Sequence, residues 1–173
     1  MRPTLVLLAG ILAGILGVFP AGSARADAAK GQAGRVLKAL VIRPADADAA
    51  CSLAWRGQPH WLRTNTRLLE TVLAGWIGTD SGITPESLRL GISGVYFQGE
   101  TSTLALIGLA MKTEEDAVLA EKTLAKRHAE KTVNRFVRHG PYVVILAVPP
   151  SGEDKCSAWM WEELGRRLQK ATA

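Results

Sequence analysis

Two apolar runs decide the fold: LALIGLAM at Leu104–Met111 and YVVILAV at Tyr142–Val148. A strand that exposes one face to water alternates apolar with polar residues, whereas both of these runs are apolar at successive positions. The second run also contains the β-branched residues Val143, Val144 and Ile145, which favour a strand over a short buried helix. Both runs are therefore predicted to be strands that are covered on both sides, or central strands of a sheet.

The segment between the two runs predicts a helix and then a further strand. Thr113 is a good N-cap, and Asp116 lies three residues later, at the capping-box position. The acidic residues that follow Thr113 suit the positive end of a helix dipole. Thr132–Arg138 resembles a strand, and His139–Pro141 predicts a hairpin turn, because Gly140 supplies positive φ and proline cannot pair within a central strand.

The start of the chain has the three parts of a secretory signal peptide. A basic start at Arg2 precedes the apolar run Leu5–Phe19, and Ala24–Ala26 provides a small-x-small cleavage site. The apolar run is shorter than the roughly twenty residues that span a bilayer. Residues 1–26 are therefore predicted to be a cleaved signal peptide, with a retained membrane anchor as the alternative. The predicted mature chain has no second hydrophobic span that is long enough for a membrane.

The predicted mature chain, Asp27–Ala173, has a length that suits one domain with a sizeable core. Residues 27–34 are rich in alanine and glycine and are predicted to be a disordered leader. Residues 35–173 are predicted to be a single α+β domain. Its first strand is predicted at Val36–Ile42, and an amphipathic helix is predicted to begin after Pro59.

The predicted elements follow the order strand, helix, strand, strand, helix, strand, strand, helix. The first six match the βαββαβ order of a ferredoxin-like sandwich. The predicted fold class is thus α+β: a two-layer sandwich of mainly antiparallel sheet with helices on one face, extended by one strand and a C-terminal helix. Such an architecture hosts many unrelated functions.

Cys51 and Cys156 are the only two cysteines of the chain. In an exported protein such a pair suggests a single disulfide. The bond would close a loop worth up to roughly 4–5 kcal/mol in the chain-entropy model. Neither residue belongs to a Cys-x-x-Cys motif or to the motif of haem attachment, and a free reactive thiol is the alternative.

The charge of the chain is mild once the signal peptide is removed. Loss of Arg2 and Arg25 lowers the formal net charge from +5 to +3. The basic residues are scattered, and no basic run is interleaved with aromatic residues. Nucleic acid is therefore not a predicted partner.

Motifs that carry catalytic or metal chemistry are not evident. The chain has no Gly-x-Ser-x-Gly elbow, no Walker loop and no dinucleotide glycine fingerprint. Glu114, Glu121 and His128 are spaced by seven residues, about 10.5 Å of helical rise, and cannot easily share a metal that needs bonds of about 2 Å. Asp46 and Asp48 lack a further ligand pattern. No catalytic residue, metal site or cofactor is predicted.

The irregular segment before the first long predicted helix carries the candidate binding residues: Trp55, Arg56, His60 and Trp61. Aromatic faces together with a guanidinium and an imidazole can hold a sugar, an anionic group or a partner peptide. The alternative is that both tryptophans fill the core while Arg56 and His60 face water.

Three hypotheses about function follow. The first is an exported, non-catalytic binding or protein-interaction module of the periplasm or cell envelope, whose partner is an envelope protein or a small ligand. The second is a small envelope hydrolase with a site near the Cys51–Trp61 loop, which a pocket joining His60 with carboxylates or a hydroxyl would favour. The third is a structural or chaperone-like accessory subunit, which a broad exposed apolar patch would favour.

Overall fold

The computed structural model describes residues 21–47, 51, 53–55, 59–62, 67–72, 83–98, 102–131, 134–148 and 155–173. Within these residues the chain forms four α-helices and six strands, in a mixed α+β fold as predicted. In chain order they are α1 (Ala21–Leu40), β1 (Leu53–Trp55), β2 (His60–Leu62), α2 (Arg67–Val72), β3 (Leu88–Gln98), β4 (Ser102–Met111), α3 (Glu114–Lys131), β5 (Asn134–His139), β6 (Tyr142–Ala147) and α4 (Lys155–Thr172). Short 3-10 turns occupy Pro44–Asp46 and Pro85–Ser87.

All described strand pairs are antiparallel, and the strands lie in the order β1, β3, β4, β6, β5. Strand β2 also pairs with β3, so β1 and β2 share one edge of the sheet. Leu53 lies opposite Gln98 and Leu62 lies opposite Gly91. The predicted antiparallel sheet is therefore present, whereas the predicted ferredoxin-like order is not confirmed.

Helix α1 occupies most of two N-terminal segments for which other structures were predicted. Its buried residues Ala33, Val36, Leu37 and Leu40 are spaced by three and four, which places them on one helical face. The predicted strand at Val36–Ile42 is wrong because these apolar residues fit a helical stripe that begins earlier in the chain. Residues 27–34, predicted to be a disordered leader, are also part of this helix.

The sheet carries helices on both faces, so the predicted arrangement with helices on one face is wrong. Leu104 and Leu106 of β4 pack with α1 and α4 on one side, which we call the α1/α4 face. Ile107 and Leu109 of the same strand pack with α2 and α3 on the other, the α2/α3 face. The physical reason is the apolar character of β4 and β6 at successive positions, which requires cover on each side. Leu104–Met111 and Tyr142–Ala147 are buried throughout, as predicted, and Val148 at the end of the second run is half-buried.

Gly108 lets α1 approach the centre of the sheet closely. A Cβ atom at this position would lie 3.2 Å from side-chain carbons of Leu37, Leu40 and Ile92. A larger residue would have to push α1 away from β4 or displace these side chains. Glycine within a strand is typical of such a close approach.

Two local predictions for the segment between β4 and β6 are confirmed: the capping box at Thr113 and the hairpin turn at Gly140. The Asp116 N–H donates to the Thr113 hydroxyl oxygen at 3.0 Å, and the Thr113 N–H donates to the Asp116 carboxylate at 3.2 Å, which completes the capping box. Gly140 has φ of +54° in the two-residue turn between β5 and β6. Positive φ is what a tight hairpin of this kind requires.

The predicted disulfide is confirmed. Cys51 and Cys156 are bonded, with their Cα atoms 5.2 Å apart, within the usual range for disulfides. The bond joins the first turn of α4 to the segment that precedes β1. Helix α4 then packs Met160, Leu164 and Leu168 into the core of the α1/α4 face.

The helix predicted after Pro59 begins later than expected. His60–Leu62 is strand β2, and α2 begins at Arg67. Three residues are too few to show a strand periodicity, and the open edge of β3 decides their structure through pairing. Of the predicted signal peptide, residues 1–26, positions 1–20 lie outside the described residues and positions 21–26 lie within α1. No described helix is both long and apolar enough to cross a membrane.

Candidate functional site

A cleft of about 580 Å³ opens on the α1/α4 face, where the end of α1 meets β2 and α4. We call it the Trp61 cleft. It is lined by Lys38, Ala39, Val41, Arg43, Asp46, Pro59, Trp61, Ile92 and Arg167. Its volume lies within the range of roughly 300–1,000 Å³ that is typical of small-molecule sites.

Trp61 reaches the cleft because of the register of β2. It lies opposite Ile92 of β3, and directly paired residues of neighbouring strands project to the same face. Ile92 packs in the core of the α1/α4 face, which fixes the direction of Trp61. The indole nevertheless stays 40 % exposed, and Trp61 is one of two large apolar side chains exposed in the described part of the chain. The site therefore has a flat aromatic wall that solvent can reach.

Arg167 of α4 holds the end of α1 in place. Its Nη1 donates to the carbonyl oxygen of Val41 at 2.8 Å and, more weakly, to that of Ala39 at 3.4 Å. Its Nε donates to Glu163 Oε1 at 2.6 Å. A cation at the last carbonyl groups of a helix also complements the negative end of the helix dipole. Arg167 is thus a structural part of the cleft wall, with its charge compensated by Glu163.

The ionisation of Glu163 follows from this position. Burial opposes the charged form, but the hydrogen bonds from Arg167 and Arg166 outweigh it, and the pKa of Glu163 is lowered from its ordinary value of 4.5. The carboxylate therefore stays charged at neutral pH and keeps Arg167 oriented.

Arg43 and Asp46 form the rim of the cleft beside the 3-10 turn. Arg43 Nε donates to Asp46 Oδ2 at 3.2 Å, while the Arg43 side chain stays 76 % exposed. The hydrogen bond from Arg43 is the largest influence on Asp46 and holds the pKa of that carboxyl below its ordinary value. Arg167 Nη2 also lies 3.6 Å from Asp46 Oδ2. One carboxylate therefore serves two guanidinium groups.

Among the described side chains that line the cleft, donors without a partner outnumber acceptors without one. The Asp46 carboxylate and the carbonyl oxygens of Ala39 and Val41 already receive hydrogen bonds or an ion pair from arginine. The ammonium of Lys38 and the two terminal nitrogens of Arg43 have no ion pair with another described residue. A molecule that enters the cleft meets donors and positive charge beside an aromatic face.

Tyr96 supports the cleft from below. The Ile42 N–H donates to its hydroxyl oxygen at 3.3 Å, just after the end of α1. The ring is fully buried, and this burial raises the pKa of Tyr96 to about 12. The phenol therefore stays protonated and fixes the backbone that follows α1.

The four predicted binding residues do not lie together at the cleft. Trp61 lines the cleft. His60 is exposed and lies opposite Ser93, so the alternation along β2 places it on the other face of the strand from Trp61. Trp55 lies in β1 opposite Tyr96, and its side chain, like Arg56, is outside the described residues.

Sequence reasoning missed Lys38, Arg43 and Arg167 as members of the site. Asp46 was considered only as a weak metal motif, whereas it pairs with arginine. The one signal in the sequence was the stop at Arg43-Pro44, which marks the end of the element that leads into the cleft. The partner arginine on α4 is too remote in sequence to be inferred from a pattern.

A second polar cluster explains the spacing of the acidic residues on α3. Arg138 of β5 donates to Glu121 Oε2 at 2.8 Å and to Glu114 Oε1 at 3.1 Å. The two carboxylates therefore share a guanidinium. Among the described residues, no group of three or more His, Cys, Asp and Glu could hold a metal ion.

Comparisons with known proteins add no relative to this geometry. The chain matches no protein-family model, and neither a curated protein nor a solved structure is significantly similar to it.

Proposed function

We propose that this protein is an exported, non-catalytic binding module whose ligand site is the Trp61 cleft. The observation that carries the proposal is the exposure of Trp61 inside a concave site that also presents the terminal nitrogens of Arg43, which make no ion pair with another described residue. Folding gains most when an indole is buried, so one left 40 % exposed at a concave surface is suited to burial by a ligand.

The walls of the cleft are held before any ligand arrives. Arg167 ties α4 to the end of α1, and Tyr96 ties the following residue to β3. Cover by α1 and α4 is reinforced by the disulfide at the start of α4. A preformed site loses less conformational entropy on binding than a mobile one, which favours recognition of a small ligand.

Export is the second part of the proposal. The basic, apolar and small-x-small pattern of residues 1–26 supports secretion to the periplasm, the cell envelope or the exterior. The Cys51–Cys156 bond is compatible with that location, since structural disulfides persist in oxidising compartments. N-terminal sequencing of the exported protein should begin at Asp27, and a product that retains Met1 would contradict cleavage.

The hydrolase alternative receives less support. It needs a pocket that joins His60 with a carboxylate or hydroxyl, whereas His60 lies on the opposite face of β2 from the Trp61 cleft. The accessory-subunit alternative rests on one observation, the 55 % exposure of Leu119 on α3. A single exposed leucine among charged neighbours is normal for a protein surface and is not a broad apolar patch.

A thermal-shift screen tests the binding proposal. A panel of small carboxylates, phosphates, neutral sugars and aromatic amines is added to the wild type, to Trp61→Ala and to Leu119→Ala. Leu119 is the matched control because it is the other large apolar side chain exposed in the described residues. At least one compound should raise the melting temperature of the wild type and of Leu119→Ala, but not of Trp61→Ala. A panel without any such compound contradicts the proposal.

A further inference from the structure

We infer that the Trp61 cleft selects a small planar anion, an aromatic or unsaturated carboxylate, over neutral and cationic compounds of the same shape. This inference rests on the proposed function, since it assigns a ligand class to the same site. Different residues of the cleft favour the two parts of this ligand, its planar body and its anionic group.

The planar part follows from the aromatic wall. Trp61 shares the cleft with the apolar side chains of Pro59, Ile92 and Val41. An indole face favours offset stacking with a flat group, and the surrounding apolar atoms gain from its burial. A ligand without a flat apolar body would leave this wall exposed to water.

The anionic part follows from the hydrogen-bonding inventory. Arg43 is anchored to Asp46 through Nε, and its two terminal nitrogens make no ion pair with another described residue. A guanidinium presents parallel N–H groups that match the two oxygens of a carboxylate. Lys38 lines the same cleft and adds a second positive charge.

The occupied acceptors argue against the other classes. Arg43 and Arg167 both contact Oδ2 of Asp46, and the carbonyl oxygens of Ala39 and Val41 accept from Arg167, so Oδ1 of Asp46 is the carboxylate oxygen left for a ligand. A neutral sugar needs both donors and acceptors around its hydroxyl groups, and an ammonium ligand needs free acceptors. The cleft supplies mainly donors, so it complements a molecule rich in acceptors.

The test compares three probes of one shape: 2-naphthoate, 2-naphthamide and 2-naphthylmethylammonium. Binding is followed by the chemical shift of the Trp61 indole N–H, which is assigned by its loss in Trp61→Phe. Naphthoate should bind at least about tenfold more tightly than naphthamide. A hydrogen bond to a charged group contributes more binding free energy than one between neutral groups, and the difference corresponds to about tenfold in affinity. Inorganic phosphate, which has no planar body, should bind more weakly than naphthoate.

Variants of the rim separate charge from geometry. Arg43→Gln should weaken naphthoate binding about tenfold, and Arg43→Lys should recover only part of it, since a lysine keeps the charge but not the fork. Both changes are at a side chain that is mostly exposed, so the fold is expected to survive. Lys126→Gln, on the far side of the sheet, is the control and should bind naphthoate as the wild type does.

The outcomes distinguish the ligand class from the site. If naphthamide or the ammonium probe bound as tightly as naphthoate and moved the Trp61 indole, the anion preference would be overturned while the cleft remained a ligand site. Equal binding of phosphate and naphthoate would overturn the planar requirement. If no probe moved the Trp61 indole, both the ligand class and the cleft as a binding site would be overturned.

Discussion

Arg167 and Val41 are joined by a hydrogen bond of 2.8 Å, from the guanidinium of α4 to the carbonyl oxygen just beyond α1. The two residues are 126 positions apart in the sequence. Arg167 also forms an ion pair with Asp46, and both Arg167 and Val41 line the Trp61 cleft. Stability and the proposed binding site therefore depend on the same side chain.

Replacement of Arg167 by methionine should lower the free energy of unfolding by about 1.5–3 kcal/mol. The change removes hydrogen bonds from a side chain that is only 20 % exposed and leaves Glu163 without one of its two arginine partners. Arg166→Met is the matched control on the same helix, because Arg166 is 68 % exposed and should cost less than about 1 kcal/mol. Urea denaturation measures both, and equal losses would show that Arg167 does not hold α1.

The stability of the wild type relative to Glu163→Gln should depend on pH. The pKa of Glu163 is lower in the folded protein than its ordinary value of 4.5. A carboxylate of this kind stabilises the fold above the unfolded pKa, and that contribution is lost as pH falls through the folded pKa. Urea midpoints at neutral pH and at successively lower pH should therefore converge below about pH 4.5. Parallel profiles for the two proteins would contradict the assigned ionisation.

Replacement of Gly108 by valine should destabilise the protein by about 1–3 kcal/mol. The new side chain would meet Leu37 and Leu40 of α1 and Ile92 of β3. Gly165→Ala is the contrasting change, because a Cβ at this helical position would have no atom within 4 Å, and it should stabilise by about 0.5–1 kcal/mol. Chemical denaturation of both variants tests the prediction, and a neutral Gly108→Val would show that α1 packs less closely than described.

Reduction of the Cys51–Cys156 bond should lower the melting temperature. The two residues are 105 positions apart, so the chain-entropy model gives up to roughly 4–5 kcal/mol for the loop. Peptide mapping without reductant should give one cross-linked species, and a Cys51→Ser/Cys156→Ser double variant should melt as the reduced protein does. Alkylation of both thiols in the native, unreduced protein would reject the bond.

The core of the sheet was predictable from sequence because its signals are local. The continuous apolar character of β4 and β6 indicated strands with cover on both sides, and Thr113 with Asp116 indicated the start of α3. The same observation argued against helices on one face only, although the predicted fold class did not use it. Gly140 likewise marked the turn between β5 and β6.

The remaining features depend on partners that are distant in the chain. The apolar residues at Val36–Ile42 suited a strand until Ala33 was included in the pattern, since the helical stripe begins inside an alanine-rich segment. Strand β2 exists because β3 offers an open edge. The Trp61 cleft requires Arg43 and Arg167 to lie close together in the fold. A local sequence periodicity does not predict a contact between residues so distant in the chain.

The disulfide divides the chain in a way that matches its layers. All six described strands, together with α2 and α3, lie between Cys51 and Cys156, whereas α1 and nearly all of α4 lie outside. The loop closed by the disulfide therefore contains the strands of the sheet and the helices of the α2/α3 face. The helices of the α1/α4 face belong to the two chain segments outside this loop. The Trp61 cleft thus lies where residues inside the disulfide loop, Trp61 and Ile92 among them, meet residues of the two segments outside it.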